Sequence, residues 1–221
     1  MGILKGYFES NPGRLIHKWT HYLEVYEAHF ERFRGREVHV MEIGVYYGGS
    51  LQMWKHYFGP EAHVYGVDIN PACRQFEEER VRVLVGDQAD RGFLRSVRAE
   101  IPRVDILIDD GGHRMDQQIV TFEELFPHIS EDGIYLCEDL HTSYLPEFGG
   151  GYRRSGTFIE TAKGLVDKLN AWHTREPDAF EVDDFTLSAH SLHFYPGMLV
   201  IEKRRMQMPH ARKTGVPGTG R

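Results

Sequence analysis

The feature that most constrains this chain is a repeated alternation. Short apolar runs stand at Val38–Ile43, Val64–Ile69, Val81–Val85, Val104–Ile108 and Gly133–Cys137. Between them lie segments of helical character at Ser50–Tyr57, Pro71–Glu79, Asp90–Glu100 and Met115–Phe126. Continuous apolar runs suit strands buried on both faces, and parallel neighbours need crossover connections that are usually helical. The pattern therefore predicts an α/β chain: a doubly wound, mostly parallel sheet with helices on both faces. A longer amphipathic stretch follows at Thr157–Trp172. The last apolar runs, Asp184–Phe194 and Met198–Glu202, flank the turn signal Tyr195-Pro196-Gly197 and predict a C-terminal antiparallel hairpin at the sheet edge.

Ahead of the alternation, Leu15, Ile16, Trp19, Tyr22, Leu23, Tyr26, Phe30 and Phe33 recur at helical spacing. They predict one amphipathic helix across residues 12–34, ending near Gly35. The expected organisation is a helical extension over 1–36, the α/β domain over 37–205, and a flexible polar tail over 206–221.

Charge and composition narrow the function. The 221 residues carry 26 basic and 33 acidic side chains, a net charge of -7. A chain without a basic excess is not expected to coat nucleic acid, where phosphates must be neutralised. Two cysteines, Cys73 and Cys137, are too few for a disulfide scaffold. No apolar run approaches the roughly 20 residues that cross a bilayer, and the first residues lack a secretory pattern. A cytoplasmic protein with no membrane partner is the expectation.

In open parallel sheets, ligands bind beyond the carboxyl ends of the strands. The first such loop reads Glu42-Ile-Gly44-Val-Tyr-Tyr47-Gly48-Gly49-Ser50. It lacks the lysine of a phosphate-gripping loop and the closely spaced second glycine of a dinucleotide fingerprint. Glu42 would repel a phosphate and suits a cationic head. Asp68 ends the second strand, where a carboxylate can accept from ribose hydroxyls, and Asp87, in Gly86-Asp87-Gln88, ends the third, where it can accept from an adenine amino group. A cationic head, a ribose and an adenine without phosphates describe S-adenosylmethionine.

On the Glu-x-Gly-x-x-x-Gly loop, Asp68 and Asp87, the chain resembles the class I S-adenosylmethionine-dependent methyltransferases over roughly residues 38–203. That resemblance implies a Rossmann-like fold. It also implies cofactor contacts from Glu42, Gly44, Tyr47, Gly48, Ser50, Asp68, Asp87, Gln88 and Asp109.

A second constellation follows the fourth and fifth strands: Asp109-Asp110-Gly-Gly-His113 and Glu138-Asp139-Leu-His141. Strand alternation sends Asp109 and Asp110 in opposite directions. Carboxylates gathered at neighbouring strand ends repel unless paired or bound to a cation, and oxygen ligands suit Mg²⁺ first. These segments are similar to those of the metal-dependent sugar O-methyltransferases of the macrocin and mycinamicin type. The likeness implies Asp110, Glu138 and Asp139 as Mg²⁺ ligands and His113 as general base, with His141 the alternative base. It further implies a glycoside acceptor and a homo-oligomer.

Three rivals stay open on the residues alone. Asp110, His113 and His141 could imitate a two-histidine, one-carboxylate iron site of a hydroxylase. A catechol or an amino sugar could replace the sugar hydroxyl as acceptor. A non-catalytic binding protein could keep the same fold.

Overall fold

The computed structural model describes residues 2–175 and 180–216. Along β1 (Val38–Ile43), alternate side chains leave opposite faces: Val38 and Val40 join one buried cluster, Met41 and Ile43 the other. The same parity runs through β4 (Val104–Asp109) and β5 (Ile129–Cys137). Ile106, Ile108, Ile134 and Leu136 face the first cluster, whereas Leu107, Tyr135 and Cys137 face the second. With β2 (Ala62–Asp68), β3 (Val81–Val85), β6 (Ala189–Tyr195) and β7 (Met198–Lys203), these strands form a sheet of order β3-β2-β1-β4-β5-β7-β6. Strands β1 to β5 pair in parallel, while β7 is antiparallel to both β5 and β6.

The first face is covered by α1 (Ile3–Glu9), α2 (Tyr22–Phe30) and α3 (Gly49–Phe58), which contribute Leu4, Tyr26, Phe30, Met53 and Trp54 to the core. The second carries α4 (Arg91–Glu100), α5 (Met115–Leu125) and α6 (Phe158–Leu169). Helix α4 starts where the Asp90 side chain accepts from the Gly92 and Phe93 amides, satisfying first-turn donors that the helix leaves unpaired.

Three expectations are corrected. The helix predicted over 12–34 exists only as α2; residues 11–21 form an irregular strap, with Leu15 and Trp19 each 55% exposed. Tertiary bonds override the periodicity here. Arg14 Nη1 donates to Phe76 O at 3.1 Å, and the buried Lys18 ammonium is drawn into carboxylates beneath the sheet's edge loops. The run predicted as strand from Asp184 begins instead with a short helix, α7 (Asp184–Ser188). Asp183 caps it by accepting from Thr186 N at 3.0 Å. The segment after β2 forms a 3-10 turn over Pro71–Phe76 rather than a helix to Glu79. The hairpin itself forms about Pro196-Gly197, with Tyr195 opposite Met198. Of the expected flexible tail, residues 217–221 lie outside the described residues, and 206–216 carry no regular structure. No helix among the described residues is long and apolar enough to cross a membrane.

Candidate active site

Sheet register explains why the acidic residues meet. Ile43 pairs with Asp109, and Asp109 with Cys137, so β1, β4 and β5 end at one level. The ladder continues one step further, with Asp110 N donating to Ile43 O and Glu138 N to Asp109 O, both at 2.9 Å. By period-two parity, Glu42, Asp110 and Glu138 then emerge on the same face, the one covered by α1 to α3. Asp109 goes to the other face.

A single cation answers the three. Lys18 Nζ stands 3.1 Å from Glu42 Oε1, 2.5 Å from Asp110 Oδ2 and 2.9 Å from Glu138 Oε1. Burial alone would pull the ammonium down. The charges of Asp110 and then Glu138 outweigh it and hold Lys18 well above its ordinary value. Burial and the nearby Asp110 push the Glu138 carboxyl well up, against the pull of Lys18 and Tyr26. Tyr26 OH donates to Glu138 Oε1 at 2.6 Å, and Ser50 Oγ donates to Glu42 Oε2 at 2.5 Å. Sequence reasoning missed Lys18 entirely, because its segment shows only a helical apolar stripe and no charge motif.

Beyond this buried cluster opens a cavity of about 380 Å³ whose wall includes Gly44, Tyr46, Ser50, Asp68, Asp87, Gln88, Asp110, His113 and Asp139. Asp110, His113 and Asp139 each bring one possible ligand atom within 4.8 Å of the others. His113 Nε2 stands 3.5 Å from Asp139 Oδ2 and 3.9 Å from Asp110 Oδ1, while its Nδ1 is buried with no partner. Asp139 Oδ1 accepts from Tyr22 OH at 2.9 Å. Tyr46, His113 and Asp139 all hold left-handed backbone angles, φ +52°, +57° and +55°. Such non-glycine residues cluster at functional sites, where the surrounding structure holds them in place. A neighbouring pocket of about 220 Å³ shares Lys18, Asp110 and Asp139 and adds Trp19 and Glu138.

The glycine loop is organised by Asp68. Its Oδ2 accepts from Val45 N at 2.8 Å and Tyr46 N at 3.1 Å, and its Oδ1 from Asn70 N at 2.8 Å. The carboxylate thus spends most of its capacity on the loop and retains room on Oδ1 for a ligand hydroxyl. Asp87 Oδ1 accepts from Ala89 N at 2.8 Å. Gln88 is committed internally: Nε2 lies 3.1 Å from Asp109 Oδ1 and from Thr121 Oγ1, and Oε1 accepts from Gly112 N at 2.8 Å.

Several expected residues stand elsewhere. Glu42 is fully buried behind the cavity, where the Lys18 ammonium already occupies the place expected for a ligand's cationic head. Asp109 is buried on the opposite face; burial, with Asp110 adding and Gln88 opposing, pushes its carboxyl up to about 7. Tyr47 points out, half exposed against Tyr46, and Tyr46 lines the cavity in its stead. Gly48 sits at the N-cap of α3 against Phe76, off the cavity wall. Glu138 accepts from Lys18 and Tyr26 and lines the pocket it shares with Asp110 and Asp139, while Asp110, His113 and Asp139 stand together on the cavity wall. His141 is half exposed, with Nδ1 4.0 Å from Asp139 Oδ1 and its ring edge-on to Trp19. It lies outside the three-residue group, so Asp110, His113 and His141 do not assemble a two-histidine, one-carboxylate set.

A sheet of this order, with its glycine loop and acidic strand ends on one cavity, is the architecture of a class I methyltransferase domain. Residues 41–140 match the family described as a methyltransferase domain, and the chain carries that domain. Among proteins of known activity, it is 42% identical to 8-demethyl-8-alpha-L-rhamnosyl tetracenomycin-C 2'-O-methyltransferase of Streptomyces olivaceus, over 86% of this chain and 51% of that one. It is 37% identical to demethylmacrocin O-methyltransferase of Streptomyces fradiae, over 80% of this chain and 47% of that one. Its fold superposes on the MycE methyltransferase of mycinamycin biosynthesis, solved with Mg and SAH, at a TM-score of 0.79 and 33% identity, covering 91% of this chain and 54% of that one. The chain spans about half the length of these relatives.

Proposed function

We propose that this chain transfers a methyl group from S-adenosylmethionine to a hydroxyl of a sugar carried by a natural product, with a divalent cation, Mg²⁺ first, held by the carboxylates of Asp110, Glu138 and Asp139 beside His113. The observation that carries the reading is that Asp110, His113 and Asp139 sit on the wall of the same cavity as Asp68 and Asp87, with Glu138 in the pocket that adjoins it. The activities that name these relatives, O-methylation of a rhamnosyl tetracenomycin and of demethylmacrocin, support the acceptor class.

When bound, the donor supplies an electrophilic methyl group and the cation draws charge from an acceptor hydroxyl. The chain's own residues do the rest. Asp68 ties down the loop amides of Val45 and Tyr46 and offers Oδ1 to a ribose hydroxyl. The acceptor enters beside Trp19, over the pocket that Asp110 and Asp139 share with the cavity. His113 takes the hydroxyl proton, and Asp139, steadied by Tyr22, faces the imidazolium that results. Positioning of the two substrates supplies much of the remaining acceleration.

The test is methyl transfer over a panel of rhamnosides and related glycosides, with and without chelator. Turnover is expected to fall by roughly two orders of magnitude or more in EDTA and to return with Mg²⁺, since cation activation is worth several kcal/mol. Full activity in EDTA would remove the metal from the mechanism. Asp68→Ala should weaken donor affinity by about 10-fold to 100-fold, the equivalent of one charge-assisted hydrogen bond of ~1.5–3 kcal/mol. Calorimetric titration of the donor checks this, and an unchanged Kd would place the ribose elsewhere.

A further inference from the structure

A second set of donors lies away from the cavity, where the end of α2 packs on the hairpin. Strand parity puts Ser191, His193 and Tyr195 of β6 on the same face as Glu202, Val200 and Met198 of β7, the face that α2 covers. His29, buried on the last turn of α2, meets them there. Its Nδ1 is 2.7 Å from Glu202 Oε1, its Nε2 is 2.9 Å from Tyr195 OH, and its ring centre is 4.7 Å from that of His193. His29, His193 and Glu202 each bring one possible ligand atom within 4.8 Å of the others.

Two imidazoles and a carboxylate are the donors of tetrahedral Zn²⁺ sites that keep a fourth position for water. The surroundings supply what such donors need. Ligating histidines have their other ring nitrogen held by an oxygen. Here Tyr195 OH meets His29 Nε2, and Ser191 Oγ lies 2.9 Å from His193 Nε2. Ligands must also be deprotonated. Burial and the neighbouring His29 hold His193 below its ordinary value. Burial favours the neutral acid at Glu202, yet the bonds from His29 and Arg32 outweigh it and hold that carboxyl low. Arg32 Nη1 takes Glu202 Oε2 at 3.1 Å, which leaves Oε1 to an ion.

We infer that His29, His193 and Glu202 form a Zn²⁺ site separate from the active site. The ion enters between His29 Nδ1 and Glu202 Oε1, displacing the proton between them to solvent. Bonds of about 2.0–2.1 Å at tetrahedral angles set ligand atoms roughly 3.3 Å apart, so this pair opens by about 0.6 Å. The Glu202 side chain, 18% exposed, has room for that shift. Bound there, Zn²⁺ ties α2 to the hairpin. Tyr22 and Tyr26, on earlier turns of α2, donate to Asp139 and Glu138, so the ion fastens the helix that steadies those acids.

The experiment titrates Zn²⁺ calorimetrically into untagged, chelator-treated protein in excess Mg²⁺, with melting temperature followed in parallel. The wild type is expected to take up Zn²⁺ and to melt higher with it, since an ion bound only by the folded chain stabilises it. Outer partners of metal ligands are worth 10-fold to 100-fold in affinity, so losing a direct ligand in His193→Gln should weaken Zn²⁺ by about 100-fold or more and abolish the rise in melting temperature. His113→Asn, altered only at the active site, should hold that Zn²⁺ within about threefold of the wild type. If His193→Gln does not fold, Glu202→Gln, which keeps the size and the hydrogen-bonding oxygen, should show the same loss. Zn²⁺ held as tightly by the folded His193→Gln or Glu202→Gln protein as by the wild type would overturn the site. So would uptake that vanishes in His113→Asn alone, or no uptake by the wild type.

Discussion

Replacing His113 with alanine is expected to lower methyl transfer by about 10²-fold to 10⁴-fold, the range a positioned general base supplies, while donor affinity stays within roughly threefold. The imidazole is held where a base must be. Its Nε2 faces Asp139 and Asp110, and its backbone carbonyl accepts from Thr142 Oγ1 at 3.0 Å. The left-handed backbone at φ +57° adds a control. Asparagine tolerates that region well, so His113→Asn preserves the loop and removes the base. Both variants should lose turnover with unchanged melting temperatures. If His113→Asn keeps full activity, the proton leaves by another route, and His141, 4.0 Å from Asp139, is next in line.

The second large effect is structural. Gly44→Ala should destabilise the fold by about 3 kcal/mol or more, through a left-handed penalty of ~1–2 kcal/mol plus a clash that no rotamer relieves. A Cβ at Gly44 would lie 2.0 Å from the backbone oxygen of Asp110, and the residue holds φ +95°. The contact is backbone against side chain root, so relief requires separating the β1 and β4 loops, which line the cavity together. Urea unfolding measures the loss. A midpoint equal to the wild type's would mean that the two loops are not tightly apposed. Binding of donor should fall in the same variant, since Gly44 N is bonded to Val67 O and anchors the loop that Asp68 organises.

The site was legible in the sequence to the extent that strand parity and strand order reach. Apolar runs marked the strands, and the acids at their carboxyl ends had to lie on one edge of the sheet. Asp109 and Asp110 had to diverge because neighbours in a strand face opposite ways. Parity taken one step further places Glu42, Asp110 and Glu138 on one face, a grouping available from register alone. What parity does not reach is which acid a given cation takes. Glu42 was expected to hold a ligand's ammonium, and it holds the chain's own.

The strap shows where periodicity misleads. Leu15, Ile16 and Trp19 continue the apolar stripe of α2, yet Leu15 and Trp19 are exposed and the helix begins only at Tyr22. One helical turn is worth little beside a buried ammonium shared among three carboxylates, so the tertiary ion cluster dictates the local backbone. In the same way, Asp183 capping Thr186 turned the start of a predicted strand into α7.

The order of apolar runs and turn residues, by itself, determined the sheet, its hairpin and the edge at which chemistry gathers, because those depend on short-range alternation and on chain-wide topology rules. Only the tertiary structure decided that Lys18, Tyr22 and Tyr26 attend Glu138, Asp110 and Asp139. Those contacts join residues more than ninety positions apart, and no local pattern encodes a meeting made by packing α2 and its strap against the ends of β4 and β5.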